Sequence, residues 1–130
     1  MGVNSYQGLK VWQLGMGLAK EIYMLTKVFP RDELYGLTSQ IRRAVVSIPA
    51  NIAEGHAKDS TKEFIRHISI AQGSLAEVET HLLLAISLEY CITEKTESTL
   101  KHCSDESKML ASLRRALKAK SSRLKPKSKR

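Results

Sequence analysis

Four histidines, two cysteines and thirteen acidic residues are the side chains of this 130-residue chain from which metal or acid–base chemistry could be built. Glu63/His67 and Glu77/His81 stand at i, i+4, so each pair shares a helix face and could reach one ion, while His102 adjoins Cys103. A closed zinc site needs four ligands converging at about 2.0–2.3 Å, usually from cysteines or histidines paired at short spacing. No such pairing occurs, so the expectation is surface Glu–His pairs with no metal and no cofactor. Cys91 and Cys103 are a poor match for a disulfide, because a turn near Thr93 leaves them at levels about 10 Å apart. Two unpaired thiols fit a reducing compartment. Hydrolase patterns are missing too: there is no Gly-x-Ser-x-Gly elbow, no phosphate-binding glycine loop and no His-Glu-x-x-His helix. Gly73-Ser74 lies mid-helix, and Glu77 and Glu79 point about 200° apart on a helix. The expectation is a protein that is not an enzyme.

The charge supports a different chemistry. Lys and Arg number 21 against 13 Asp and Glu, a formal net charge of +8. Arg114, Arg115, Lys118, Lys120, Arg123, Lys125, Lys127, Lys129 and Arg130 crowd the C-terminus with no acid among them, which leaves residues 1–113 close to neutral. A neutral body with a cationic tail attracts a polyanion: nucleic acid, a membrane surface or an acidic protein. On a phosphate backbone such a tail gains affinity by counterion release without reading sequence; the alternative is a solubilising tail with no partner. Arg42, Lys58, Lys62 and Arg66 form either a phosphate-contacting patch or a solvated face. Arg43, Ser47, Asn51, Glu54 and Lys58 recur at spacings of 4, 4, 3 and 4, a polar stripe along one helix. Within it Arg43 is placed to pair with Glu77 or Glu79, and Glu54 to face Phe64–His67. Asn51 and Glu54 serve either an interhelical or intersubunit polar network or a binding role.

The elements that position these residues are helices. Leu, Ile, Val and Phe make up about a quarter of the chain, enough for a packed core at this length, and the apolar spacing is helical nearly throughout. Trp12, Met16, Ala19, Tyr23 and Thr26 form one row, flanked by Leu18, Ile22, Leu25 and Phe29, predicting a first helix over about 8–28 that ends before Pro30. Asp32 is a candidate cap for a second helix, marked by Leu34, Leu37, Ile41, Val45, Ile48 and Ile52; Pro49 should bend it near Val45. Ser60-Thr61-Lys62-Glu63 reads as a capping box. It opens a third helix to about Tyr90, in which Phe64, Ile68, Ala71, Leu75, Val78, Leu82 and Ala85 keep a strict 4-3 spacing. The fourth, about 94–119, carries the weakest stripe: Leu100, Cys103, Ser107, Leu110, Leu113 and Leu117. Short connections make an up-and-down antiparallel four-helix bundle the expected all-α fold, with a body over 1–119 and a disordered basic tail over 120–130. The run Leu82–Leu88 is apolar on nearly every side, which implies either a second buried face, hence self-association, or ordinary exposed leucines at Leu83 and Leu84.

No secretory, membrane-spanning or myristoylation pattern is present, and a cytoplasmic protein without a membrane partner is expected.

Three motifs resemble one family. The stretch from Tyr35 to Gly55 (YGLTSQIRRAVVSIPANIAEG), Val11-Trp12-Gln13 with Phe29-Pro30 before it, and Ala71–Thr80 (AQGSLAEVET) after it follow in order the pattern of the bacterial four helix bundle proteins, also called 23S rRNA intervening-sequence proteins. The resemblance covers about residues 8–91; the last helix and the tail are generic. It implies a four-helix bundle with no assigned catalytic residues. Related bundles are the accessory proteins of diversity-generating retroelements, which form ring-like homopentamers with basic surfaces that bind nucleic acid and a reverse transcriptase. Two functions are thereby expected: an oligomeric RNA- or DNA-binding protein acting through Arg42, Arg43 and the other basic residues, or alternatively an interaction scaffold such as a reverse-transcriptase accessory subunit.

Overall fold

The structure is a computed structural model that describes residues 5–124. Four helices, α1 (Lys10–Leu25), α2 (Leu37–Ala57), α3 (Thr61–Ser87) and α4 (Thr93–Leu124), follow a short 3-10 turn at Tyr6–Gly8, and two further 3-10 turns, Thr26–Val28 and Arg31–Glu33, join α1 to α2. Each helix packs on the next, and α1 also packs on α4, closing an up-and-down antiparallel bundle. No described helix is long and apolar enough to cross a membrane.

The third helix follows its pattern most closely. Ile68, Ala71, Leu75, Val78, Leu82 and Ala85 are all buried, and the Ser60 hydroxyl caps the helix by accepting from the Glu63 N–H at 3.2 Å. Only half of the capping box forms, because the Glu63 carboxylate turns to Arg66 and Lys58 instead. In α2, Leu37, Ile41, Val45, Ile48 and Ile52 are buried as their spacing predicts, while Leu34 stays half exposed in the preceding turn. Pro49 sits inside one uninterrupted helix.

Three elements depart from their predicted form. The inner row of α1 is Val11, Gly15, Leu18 and Ile22, one residue out of phase with the row read from Trp12 and Tyr23. Aromatic size misled there: Tyr23 lies outward beneath a guanidinium, its ring centroid 4.7 Å from Arg42 Cζ. The N-cap position of α2 is Gly36, and the side chain that satisfies the first helical N–H is Glu33 rather than Asp32. Its Oε1 accepts from the Leu37 N–H at 3.0 Å and its Oε2 from the Tyr90 hydroxyl at 2.7 Å, which holds the carboxyl below the usual carboxylate range. A Cβ on Gly36 would come within 2.7 Å of that Oε1, so a side chain there would displace the cap. In α4 the buried seam is Thr96, Thr99, Cys103, Glu106, Leu110 and Leu117; Ser107, predicted inside, is exposed and Glu106 takes the inner position. This helix also runs to Leu124, past the boundary expected at 119. At about 1.5 Å per residue, its 32 residues outreach the 27 of α3 by roughly 8 Å. Leu117 is its last buried side chain among the described residues.

Candidate nucleic-acid interface

The basic residues singled out in the sequence divide into two groups at opposite ends of the bundle. Arg42 and Arg43 stand near the start of α2, and Lys58 is about 24 Å further along the same helix by rise.

Arg42 is committed to the fold. Its Nε donates to Thr26 Oγ1 at 2.8 Å, a terminal nitrogen donates to the Tyr23 carbonyl at 3.4 Å, and the guanidinium plane covers the Tyr23 ring. Thr26 is itself buried, its hydroxyl bonded back to the Ile22 carbonyl at 2.7 Å. Arg42 therefore ties α2 to the end of α1, with two of its five N–H groups engaged in those bonds. Arg43 is exposed, and the expected pair with Glu77 or Glu79 does not form: Glu77 turns to His81, Oε2 to Nε2 at 3.4 Å.

The second group lies where α2 ends and α3 begins. Lys58, Lys62 and Arg66 surround Glu63, whose Oε1 lies 3.1 Å from Arg66 Nε and 3.6 Å from Lys58 Nζ. The Arg66 guanidinium beside Glu63 holds its carboxyl below the ordinary value. Two of the three cations thus share one counter-charge, and Lys62 is exposed without an ion pair among the described residues. Behind them runs the polar stripe of α2. The Ser74 hydroxyl donates to Ser47 Oγ at 2.9 Å, and the Asn51 amide donates to Ser47 Oγ and to the Ser47 carbonyl, both at 2.9 Å. Asn51 Oδ1 receives His67 Nδ1 at 2.9 Å, and His67 Nε2 meets an Arg66 nitrogen at 3.3 Å. Asn51 accordingly serves an interhelical network. Glu54 is exposed, and the residue packed closely on Phe64 and His67 is Gly55, where a Cβ would lie 2.6 Å from His67 Cβ and 3.1 Å from Phe64 Cδ1. His67 is buried rather than paired with Glu63 on the surface.

The second half of α4 joins this end. Arg114 Nε donates to Ser69 Oγ at 3.1 Å, fixing α4 alongside the start of α3. Because the two helices run antiparallel, Arg115, Lys118, Lys120 and Arg123 continue along α4 while α3 runs back through Arg66 to Lys62. All four are exposed and none forms an ion pair among the described residues. From Ala111 to Leu124 α4 carries five cations and no acid. Lys125, Lys127, Lys129 and Arg130 lie outside the described residues.

No group of three or more metal-ligating side chains occurs among the described residues. His102 pairs with Glu21, Nδ1 to Oε2 at 2.8 Å, and Cys91 and Cys103 are free thiols. Burial pushes the Cys103 thiol up to about 12, which makes it an inert packing residue.

Comparison with known proteins places the chain. A crystal structure from Bacteroides thetaiotaomicron, of a protein with unknown function from the S23 ribosomal protein family, superposes with a TM-score of 0.73 at 31% identity, over 79% of this chain and 96% of that one. No curated protein matches. The profile of the family described as 23S rRNA-intervening sequence protein matches residues 7–112, taking in all the motifs of α1 to α3 and most of α4, and the chain belongs to that family.

Proposed function

We propose that this protein is a non-enzymatic nucleic-acid-binding bundle whose contact surface is the second half of α4 together with the start of α3. The observation that carries this reading is the set of exposed cations without ion pairs, Arg115, Lys118, Lys120 and Arg123, which extends past the packed part of the bundle next to Lys62. Binding is by phosphate contact, with affinity from counterion release and without base reading. The described surface has no exposed aromatic ring among these cations on which a base could stack. Self-association into a ring-like homo-oligomer multiplies the effect, since several weak surfaces on one particle gain avidity through effective concentration. Leu83, Leu84 and Leu88, 57%, 46% and 45% exposed on α3, support that part of the reading.

Fluorescence anisotropy with labelled single-stranded RNA, structured RNA and duplex DNA tests it, at two salt concentrations and beside a light-scattering measurement of mass. The wild type should bind all three, with affinity falling steeply as salt rises. The triple variant Arg115→Glu, Lys118→Glu, Arg123→Glu should lose most of that affinity while keeping its helical circular dichroism. No binding at low salt, or binding that is indifferent to the triple variant, rejects this surface and turns the search to a protein partner.

A further inference from the structure

Glu106 plays no part in the cationic surface. It has no solvent exposure, and neither carboxyl oxygen has a hydrogen-bond partner. A Cβ placed on Gly15 would lie 3.2 Å from Glu106 Oε2 and 3.5 Å from both Ile48 Cγ2 and Pro49 Cβ. The carboxyl therefore fills the space that a side chain at position 15 would need. Toward it α1 presents bare backbone and α2 presents Ile48 and Pro49; no cation lies within ion-pair distance among the described residues. Glu21 of α1 and Glu79 of α3 act together with Glu106 on Cys103, one turn away on α4; Glu106 itself is shifted by burial alone. Glu21 is already engaged by His102 and by the Thr99 hydroxyl, at 2.8 and 3.0 Å. The buried histidine of α3, His67, is committed to Asn51 and Arg66. A carboxylate without donor or cation is strongly disfavoured in such a site, and burial pushes Glu106 up to about 8.

The helix that carries Glu106 is weakly held along the same stretch. From Thr93 to Met109 the buried residues of α4 are Thr96, Thr99, Cys103 and Glu106, with Leu100 and Met109 partly buried against the core; its large fully buried anchors, Leu110 and Leu117, come later. Apolar burial is what docks a helix, and the first half of α4 has less of it than the second.

We propose that Glu106 is a proton-controlled latch for the first half of α4. Protonated, the neutral carboxyl lies against Gly15 and the helix stays docked on α1. Deprotonated, the carboxylate reaches water only if residues 93–106 swing away about the Leu110 anchor. That movement parts Thr99 and His102 from Glu21 and bares Cys103, which has no solvent exposure in the docked state.

Cys103 supplies the readout. In a Cys91→Ser background, its labelling rate with a thiol reagent is divided at each pH by the rate for the same protein unfolded in urea, which removes the effect of thiolate ionisation. Between about pH 6.5 and pH 9 this ratio should rise roughly tenfold or more, and stay within about twofold in Glu106→Gln and Glu106→Met. Amide exchange in α2 and α3 should remain slow over the same range. The latch is rejected by a ratio that does not rise, by an equal rise in both Glu106 variants, or by simultaneous loss of protection in α2 and α3, which would be global unfolding. If the Gln variant does not fold, the Met variant decides the comparison alone.

Discussion

His67 and Asn51 meet across the α2–α3 interface with Nδ1 and Oδ1 2.9 Å apart. Since the Asn51 amide nitrogen is spent on Ser47, its oxygen accepts, so His67 carries its proton on Nδ1 and offers Nε2 as an acceptor to Arg66. A cation at the edge of the basic surface is thereby oriented from inside the bundle. Asn51→Ala should strand the buried His67 donor and cost about 1–3 kcal/mol, read as a lower urea midpoint with an unchanged m-value. It should disturb nucleic-acid affinity far less than the α4 charge reversals.

Glycines of this chain should respond to alanine with opposite signs. A Cβ at Gly55 meets His67 Cβ at 2.6 Å, inside a packed interface, whereas Gly17 and Gly73 have nothing within 4 Å. Gly55→Ala is expected to destabilise by about 1–3 kcal/mol through overpacking. Gly17→Ala and Gly73→Ala should each stabilise by about 0.5–1 kcal/mol, because they replace glycine in the interior of a helix. Thermal unfolding of the three single variants checks both signs.

Arg42 should prove structural. Lysine cannot reproduce the flat guanidinium over Tyr23 together with the bond to Thr26. Arg42→Lys is therefore expected to lower stability by about 1 kcal/mol and to leave RNA and DNA affinity within error of the wild type. A variant that keeps its melting temperature but loses binding would return Arg42 to the interface.

Stability should fall as pH rises, and Glu106 should be the cause. Its folded value, pushed up to about 8, lies above the ordinary 4.5. Below 4.5 the proton is held in both folded and unfolded chains and Glu106 exacts no penalty. Between the two values the unfolded chain releases the proton and the folded chain does not, so stability declines by up to about 1.4 kcal/mol per pH unit and levels off above the folded value. Glu106→Leu should flatten that slope and raise the urea midpoint at neutral pH. A slope that persists in the variant would assign it to other groups.

Much of the architecture was legible because it rests on local, repeated signals. The 4-3 spacing from Phe64 to Ala85 needs one buried stripe, and a stripe that regular has only one phase in which every large apolar residue points inward. Ser60 likewise caps through its own neighbours. Order and connection length then leave an antiparallel bundle as the natural arrangement, and the polar stripe of α2 already pointed to Asn51.

Weaker patterns were settled only by the partners they meet. Trp12 and Tyr23 read as an inner row by size, yet the small Gly15 is inside, because Ile48, Pro49 and Glu106 converge on it. Leu100, Ser107 and Leu113 made the stripe of α4 the weakest of the four, and the packed helix turns Glu106 inward in place of Ser107. The roles of the cations were equally undetermined in one dimension: Arg42 and Arg43 are adjacent in the chain, but only Arg42 finds Tyr23 and Thr26 within reach. By itself the sequence determined which segments are helical, how they connect and where positive charge accumulates, since propensity, capping and net charge are local or additive. Tertiary packing decided which polar side chains are buried, paired or left exposed, since desolvation and hydrogen-bond satisfaction depend on groups brought together from distant parts of the chain.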